Sequence, residues 1–154
     1  MLKFKLHTTD ALVPTKAGPE ESGYDLTAIS FVKKRGKNTF MYDTGVSVEV
    51  PPGYYTEIVP RSSISKTGFV LSISIGVIDA TYRGTLKIVL TDVDSEARNN
   101  GISRPMTCPF TLAQLIVRKR HDLQVEVVNE LSETTRGDGG FGSTGAAGGN
   151  TKRS

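Results

Sequence analysis

The chain has 154 residues, 37% of them hydrophobic, and its 19 basic and 16 acidic side chains give a formal net charge of +3. This length suits one domain with an ordinary core, and no apolar run approaches the ~20 residues that a membrane-spanning helix requires. The charge excess is too small to indicate binding of duplex DNA or RNA, which usually depends on a basic stripe. We therefore expect neither a helical membrane protein nor a direct nucleic-acid binder.

Cysteine usage and the first residues indicate a compartment. Cys108 is the single cysteine of the sequence, so an internal disulfide is impossible, and a packed thiol in a reducing environment is the expectation. Residues 1–7 alternate charged and apolar side chains and lack the apolar run of a signal peptide. We expect an intracellular protein, cytoplasmic and/or nuclear.

Most of the chain alternates apolar and polar residues, as strands with one buried face do. Pro and Gly separate these segments, and no helical pattern of ten residues interrupts them. Many short strands at regular spacing predict an all-β jelly roll or distorted β-barrel. The predicted strands are Lys3–His7, Gly45–Val50, Thr56–Val59, Val70–Ile75, Thr85–Leu90, Ala113–Val117 and Gln124–Val128.

Other features of the body are less regular. One short helix is predicted at Ser62–Thr67, ended by Gly68, and Gly76–Gly84 is predicted to form the tip of a hairpin. The continuous apolar run Ala113–Val117 predicts a strand buried on both faces. A β-domain of this size has few deep clefts, so a binding site is expected between subunits or beneath a flap.

The C-terminal segment is rich in glycine and is predicted to be a flexible arm, residues 136–154, outside a domain of residues 1–135. Seven of the sixteen glycines lie between Gly137 and Gly149, around Arg136 and Phe141. Such a segment could close over a phosphorylated ligand, with amides and Arg on phosphates and Phe on a ring. A disordered glycine tail is the alternative.

Four segments of the body carry candidate functional side chains. Ser22–Leu26 contains an Asp in a short apolar context, and Pro60–Gly68 places Arg and hydroxyls at a helix start, which favours an anion. Gly76–Gly84 carries Asp79 and Tyr82, and Gln114 lies in an apolar strand. Each has an ordinary alternative: a capped turn, an Asp that caps its own backbone, or a Gln with a structural partner.

Taken in order, these segments and the arm resemble the five motifs of the homotrimeric dUTPase family. The third and fifth motifs are the most specific. The matching motifs are Gly23-Tyr-Asp-Leu, Pro60-Arg-Ser-Ser, Gly76-Val-Ile-Asp-x-x-Tyr-Arg-Gly84, Ala113-Gln-Leu and Arg136-Gly-x-Gly-Gly-Phe-Gly-Ser-Thr-Gly145.

The resemblance implies a jelly-roll homotrimer with three shared active sites. It implies hydrolysis of dUTP to dUMP and pyrophosphate by attack of water on the α-phosphorus, with Mg²⁺ chelated by the triphosphate. This activity limits uracil incorporation into DNA and supplies dUMP for dTMP synthesis. A free Asp is only a weak base at neutral pH, so most acceleration is expected from positioning and charge stabilisation.

The resemblance also implies residue roles. Asp79 orients the hydrolytic water, and Tyr82 lies beneath the deoxyribose, where a ribose 2′-hydroxyl would collide. Asp25 holds the metal ion through waters. Arg136 binds the γ-phosphate and Phe141 stacks on uracil. The other implied substrate-binding residues are Arg61, Ser62, Ser63, Gly76, Val77, Ile78, Lys87, Gln114, Gly142 and Ser143.

Three alternatives stay open at this point. A dCTP deaminase shares the fold and the third motif, but no general-base Glu matches. A catalytically silent nucleotide-binding or regulatory module would keep the fold without turnover, although the intact Asp79 argues against it. A structural jelly-roll subunit would bind no nucleotide.

Overall fold

Antiparallel strands form nearly all the regular structure of the computed structural model, which describes residues 1–96 and 100–140. The strands are numbered in chain order, and one 3-10 helix, Ser62–Lys66, lies between the sixth and the seventh. They are β1 (Lys3–Leu6), β2 (Gly23–Ala28), β3 (Ser30–Lys34), β4 (Thr39–Asp43), β5 (Val46–Glu49), β6 (Tyr54–Pro60), β7 (Phe69–Leu71), β8 (Gly76–Ile78), β9 (Lys87–Asp92) and β10 (Phe110–Lys119).

The strands build two four-stranded sheets and a two-stranded ribbon. One sheet has the order β2-β10-β6-β8, the other β3-β4-β9-β7, and β1 pairs with β5. In β2, β4 and β9, buried residues alternate with partly buried ones, and the buried side chains of the two sheets form one core. The all-β jelly-roll prediction is confirmed. The core consists of Leu26, Ala28, Phe40, Tyr42, Val48, Ile58, Phe69, Leu86, Ile88, Leu90, Leu112, Ala113 and Leu115.

Several strand predictions need correction. The strand predicted at Val70–Ile75 ends at Leu71, because the chain turns there and Ser74 has a φ of 33°. Strands β2, β3 and β4 were not predicted. All five residues of β3 are exposed, so this strand has no alternation of buried and exposed side chains by which to predict it. Strand β10 is buried mainly on one face, not on both.

The short-helix prediction is confirmed, as a 3-10 helix. Ser62–Lys66 is followed by Thr67 as the C-cap, whose hydroxyl donates to the Ile64 carbonyl at 2.7 Å. Gly68 then adopts a φ of 71°, the left-handed conformation that glycine tolerates at this position. Within residues 1–96 and 100–140, no helix is long and apolar enough to cross a membrane.

The chain divides into a compact unit, Met1–His121, and a second unit, Asp122–Ser154. The strand predicted at Gln124–Val128 is wrong for the single chain: these residues form no strand. Their alternating apolar side chains are exposed, Val125 to 93% and Val127 to 95%. An isolated strand has no neighbour to accept its backbone hydrogen bonds, so the pattern alone does not produce it. The predicted boundary at residue 135 stays a prediction.

Replacing Tyr42 with Phe should destabilise the fold. The Tyr42 side chain is fully buried, and its Oη accepts a hydrogen bond from the Met106 N–H at 2.7 Å. Tyr42→Phe removes that acceptor, so we expect the free energy of unfolding to fall by about 1–2 kcal/mol. Urea unfolding measures the change. Tyr54→Phe, at an exposed position, is the control, and equal effects of the two substitutions would contradict the account.

Candidate active site

The register of one sheet gathers a first group of candidate residues. In β2 and β10, Asp25 lies opposite Gln114, and Arg61 follows the end of β6. Arg61 Nε lies 3.1 Å from Asp25 Oδ1, and Gln114 Nε2 donates to the Pro60 carbonyl at 3.1 Å. We call this group the Asp25 cluster. It borders a cavity of about 330 Å³ lined by Ala17, Glu21, Gly23, Asp25, Arg61, Ser62 and Gln114.

Local structure explains why these side chains occupy this place. A Cβ at Gly23 would lie 2.7 Å from Gln114 Cδ, so only glycine leaves room for the Gln114 side chain as it lies here. The Arg61 backbone N–H donates to the Leu112 carbonyl at 2.9 Å, and its Nη1 donates to the Thr111 carbonyl at 3.2 Å. Arg61 is thus held by β10 at both its backbone and its side chain.

Ser62 and Ser63 open the 3-10 helix beside Arg61. Ser62 lines the Asp25 cavity. The Ser63 hydroxyl oxygen is buried and has no hydrogen-bond partner among residues 1–96 and 100–140. A buried hydroxyl without a partner is costly, so this position suits a ligand or a neighbouring chain that supplies one.

A second group of candidate residues lies at the other edge of the same sheet. Strand β8 pairs with β6, placing Gly76 opposite Ile58. The chain then makes a turn, closed by the Tyr82 N–H donating to the Asp79 carbonyl at 3.0 Å; we call residues 79–82 the Asp79 turn. The lining of a cavity of about 310 Å³ includes Gly76, Val77, Ile78, Asp79, Tyr82 and Lys87.

The predicted hairpin at Gly76–Gly84 is wrong. Strand β8 belongs to the sheet of β6, whereas β9 pairs with β4 and β7 in the other sheet. The segment therefore crosses from one sheet to the other. The strands on both sides of the segment show the same apolar alternation whether they form a hairpin or lie in different sheets. Alternation indicates which face of a strand is buried, but not which strand it pairs with.

Gly84 determines how the Tyr82 ring lies. The Tyr82 hydroxyl donates to the Thr85 carbonyl at 3.2 Å. A Cβ at Gly84 would lie 2.6 Å from Tyr82 Cζ, so the ring passes directly over this glycine. The residue type at position 84 thereby sets the orientation of an aromatic side chain that is 42% exposed beside the cavity.

Lys87 is held by a carboxylate that sequence analysis missed. Lys87 Nζ lies 2.6 Å from Asp43 Oδ2, and the Thr85 hydroxyl donates to the same oxygen at 3.0 Å and also contacts Lys87 Nζ. Burial of the Asp43 carboxyl raises its pKa, but hydrogen bonds from Lys87, the Gly45 N–H and Thr85, with the charge of Lys87, outweigh burial and hold the pKa below its usual value. Asp43 lies opposite Lys87 in the β4–β9 pairing, which only the register reveals.

The single chain does not bring the two groups together. Strands β2 and β8 are separated by β10 and β6, a distance of about 14 Å at ~4.8 Å per strand. The Asp25 cavity and the Asp79 cavity share no lining residue. A site that uses both groups in contact with one small ligand therefore needs more than one copy of the chain or a long ligand.

The arm contributes a third candidate. Arg136 is exposed, and its Nε donates to the Gly139 carbonyl at 2.8 Å, while the Gly137 N–H donates to the Thr134 carbonyl at 3.1 Å. The predicted residues Phe141, Gly142 and Ser143 lie outside the described residues.

The donors of the Asp25 cavity suit a magnesium ion that keeps most of its waters. Within residues 1–96 and 100–140, no three His, Cys, Asp or Glu side chains form a metal-binding group. Two acidic residues, Asp25 and Glu21, do line the cavity. Carboxylate oxygens with water and substrate phosphates are the ligands that Mg²⁺ commonly takes, so an ion delivered by a phosphorylated substrate fits here.

Replacing Asp43 with Asn should weaken the fold in a pH-dependent way. The folded-state pKa of Asp43 is lowered, so its ionised carboxylate stabilises the folded protein. This stabilisation is fully present above the unfolded-state pKa, about 3.9, and is lost as the pH falls through the folded-state pKa. We expect Asp43→Asn to cost about 1 kcal/mol at pH 7 and less at pH 3. Urea unfolding at both pH values measures this. The control is Asp10→Asn, and a difference that does not shrink in acid would contradict the assignment.

The known proteins to which this chain is similar are dUTPases. The family model described as dUTPase matches residues 9–145. The deoxyuridine 5'-triphosphate nucleotidohydrolase of Arabidopsis thaliana is 36% identical over 146 residues, covering 93% of this chain and 82% of the relative. A mutant dUTPase of Staphylococcus bacteriophage 80alpha with dUpNHpp has a TM-score of 0.76 at 23% identity, covering 94% and 98%. A mutant dUTPase from phage phi11 of S. aureus, whose structure reveals the coordination of a structural Mg(II) ion, has a TM-score of 0.69 at 22% identity, covering 86% and 99%. From the family match and the identity along its length, this chain belongs to the dUTPase family.

Proposed function

We propose that this chain is a dUTP diphosphatase, which hydrolyses magnesium-bound dUTP to dUMP and pyrophosphate by attack of water on the α-phosphorus. One observation carries the proposal: Asp79 and Tyr82 border a cavity of about 310 Å³ that is also lined by the residues of the edge strand β8. Pockets for small ligands begin at about this size. The proposal includes an intracellular location, since dUTP arises where deoxynucleotides are made.

The edge position of β8 supplies a way to recognise uracil. Strand β8 has β6 on one side only, so alternate backbone N–H and C=O groups of Gly76–Ile78 point away from the sheet and are available to a ligand. Uracil presents an N–H between two carbonyls, whereas cytosine presents an acceptor and an amino group. Fixed backbone groups matched to uracil would be left unpaired by cytosine, and such mismatches discriminate by ~10⁴-fold.

Tyr82 and Asp79 act on the sugar and on the water in this proposal. The Tyr82 ring, held over Gly84, forms the floor beneath the deoxyribose and leaves no room for a ribose 2′-hydroxyl. Asp79 accepts a hydrogen bond from the hydrolytic water and aligns it with the phosphorus. As a weak base, Asp79 contributes mainly by positioning.

The Asp25 cluster receives the phosphates. Arg61 supplies a fixed positive charge, Ser62 and Ser63 supply hydroxyls, and Gln114 supplies an amide near the attacked phosphate. Asp25 would hold a magnesium ion through water. When bound, the ion neutralises charge that develops on the pyrophosphate leaving group. The ion pair with Asp25 keeps Arg61 oriented before substrate arrives.

We propose that the active site is shared in a homotrimer. The Asp79 cavity and the Asp25 cavity lie at different edges of one sheet, so one chain supplies the nucleoside pocket and another the phosphate pocket. The arm of a third chain adds Arg136 on the γ-phosphate, Phe141 on uracil and the amides near Gly142 and Ser143. Val125 and Val127, exposed in the single chain, would become buried against another subunit.

The first test measures products. With Mg²⁺ present, the purified protein should release one pyrophosphate per dUTP and no ammonia from dCTP. Asp79→Asn should lower kcat by about 10²-fold or more, because a misaligned water reacts slowly, yet it should bind dUpNHpp with nearly unchanged affinity. Calorimetry and a pyrophosphate assay measure both. Ammonia from dCTP would assign a deaminase, and analogue binding without turnover would assign a silent nucleotide-binding module.

A second test asks whether different chains complete one site. Asp79→Asn and Arg61→Ala proteins should each be nearly inactive. When their chains are co-refolded in equal amounts, about one quarter of shared sites should carry both intact groups, because each group is drawn independently from a different chain. Activity near that fraction is expected, with a trimer mass by light scattering. Co-refolding Asp79→Asn with Asp79→Ala is the control. An inactive mixed sample would contradict the shared site.

A further inference from the structure

The backbone that follows strand β8 lacks support from either sheet. The β6–β8 ladder ends at Ile78 and the β4–β9 ladder begins at Lys87. Just before Lys87, the Leu86 N–H donates to the Val46 carbonyl of β5 at 2.7 Å. Between these points lies the Asp79 turn, which carries the proposed water-orienting carboxylate. Something outside the sheets must therefore hold this turn in place.

The Arg83 side chain caps the Asp79 turn from one side. Its Nη1 donates to the carbonyls of Ala80 at 2.7 Å and Tyr82 at 3.0 Å. Its Nη2 lies 3.8 Å from Glu49 Oε2, and the other oxygen of Glu49 pairs with Lys3 at 2.6 Å. A planar guanidinium with several fixed donors suits the bridging of two carbonyls, which a lysine would do less well.

The Arg83 backbone is held from the other side by a buried hydroxyl. Ser47 is 5% exposed on β5, and its Oγ donates to the Arg83 carbonyl at 2.9 Å. His7 Nε2 lies 2.8 Å from the same Oγ. Because the Ser47 proton is used on the carbonyl, the hydroxyl oxygen accepts from His7 Nε2–H.

We propose that Ser47 and Arg83 are positioning residues, through which the β1–β5 ribbon holds the Asp79 carboxylate in its working position. Neither residue lines the Asp79 cavity, so both act through the turn. The inference rests on the proposed function, because its readout is dUTP turnover.

The exposed ion pairs near the turn are weaker than the hydrogen bonds to its carbonyls. The Lys3–Glu49 and Arg83–Glu49 pairs are largely exposed, with side-chain exposures of 43% to 66%, and exposed pairs contribute little. The hydrogen bonds to the carbonyls of Ala80, Tyr82 and Arg83 define where the turn lies. Strand β8 stays paired with β6 when they are lost, so base recognition should survive while water alignment fails.

The experiment separates kcat from binding. Ser47→Ala and Arg83→Ala should lower kcat for dUTP by about 10-fold or more, since a misplacement of ~1 Å costs up to ~10²-fold. Affinity for dUpNHpp should change by less than about 3-fold, because this binding does not need the aligned water. Arg83→Lys should recover part of kcat. The fold-decrease in kcat of the double variant should be smaller than the product of the two single fold-decreases, because both residues hold the same turn.

Two controls keep the outcomes distinct. Glu49→Gln should lower kcat by less than about 2-fold, and Thr39→Val, which removes a hydroxyl contact with Thr91 in the other sheet, should leave kcat unchanged.

If wild type hydrolyses dUTP while Ser47→Ala and Arg83→Ala match these controls, the positioning inference is overturned and the proposed function stands. An equal loss of analogue affinity and kcat also overturns it. If wild type does not hydrolyse dUTP, the proposed function itself fails. Should Arg83→Ala not fold, Ser47→Ala and Arg83→Lys decide.

Discussion

Strand β6 pairs with β10 on one side and with β8 on the other, and the arrangement of both candidate pockets depends on this double pairing. Val59 lies opposite Gln114, which in turn faces Asp25, while the next residue, Ile58, lies opposite Gly76. Adjacent residues of a strand point to opposite faces, so a slip of one residue would turn Gln114 into the core. Burial of Ile58 and Leu115 in that core makes the slip costly.

The same pairing keeps the two pockets apart. Two strands separate Asp25 from the edge strand β8, and no flexibility of side chains closes a gap of about 14 Å. In the proposed trimer, the two pockets of one chain belong to different active sites, which agrees with their separation in the single chain. The same proposal would cover the exposed apolar side chains of Val125 and Val127.

Glycines and turns connect this framework to chemistry. Gly23 admits the Gln114 side chain and Gly84 admits the Tyr82 ring, so two motif glycines act by leaving space for a neighbouring functional side chain. The Asp79 turn lies between the sheets, where Arg83 donates to its carbonyls and Ser47 donates to the Arg83 carbonyl. In the proposed account, its placement is therefore a property of the β1–β5 ribbon as well as of the motif.

Residue patterns alone predict the all-β class, the short helix ended by Gly68, the family and the order of its motifs, because alternation and motif chemistry are local properties of the chain. The fold was needed to show that Gly76–Gly84 crosses between the sheets and that Asp43 holds Lys87. It was also needed to show that Asp25, Arg61 and Gln114 meet, while Asp79 lies elsewhere. The reason is physical. Strand pairing is a long-range choice of partner and register, set by total burial in the core, and no local window of residues encodes it.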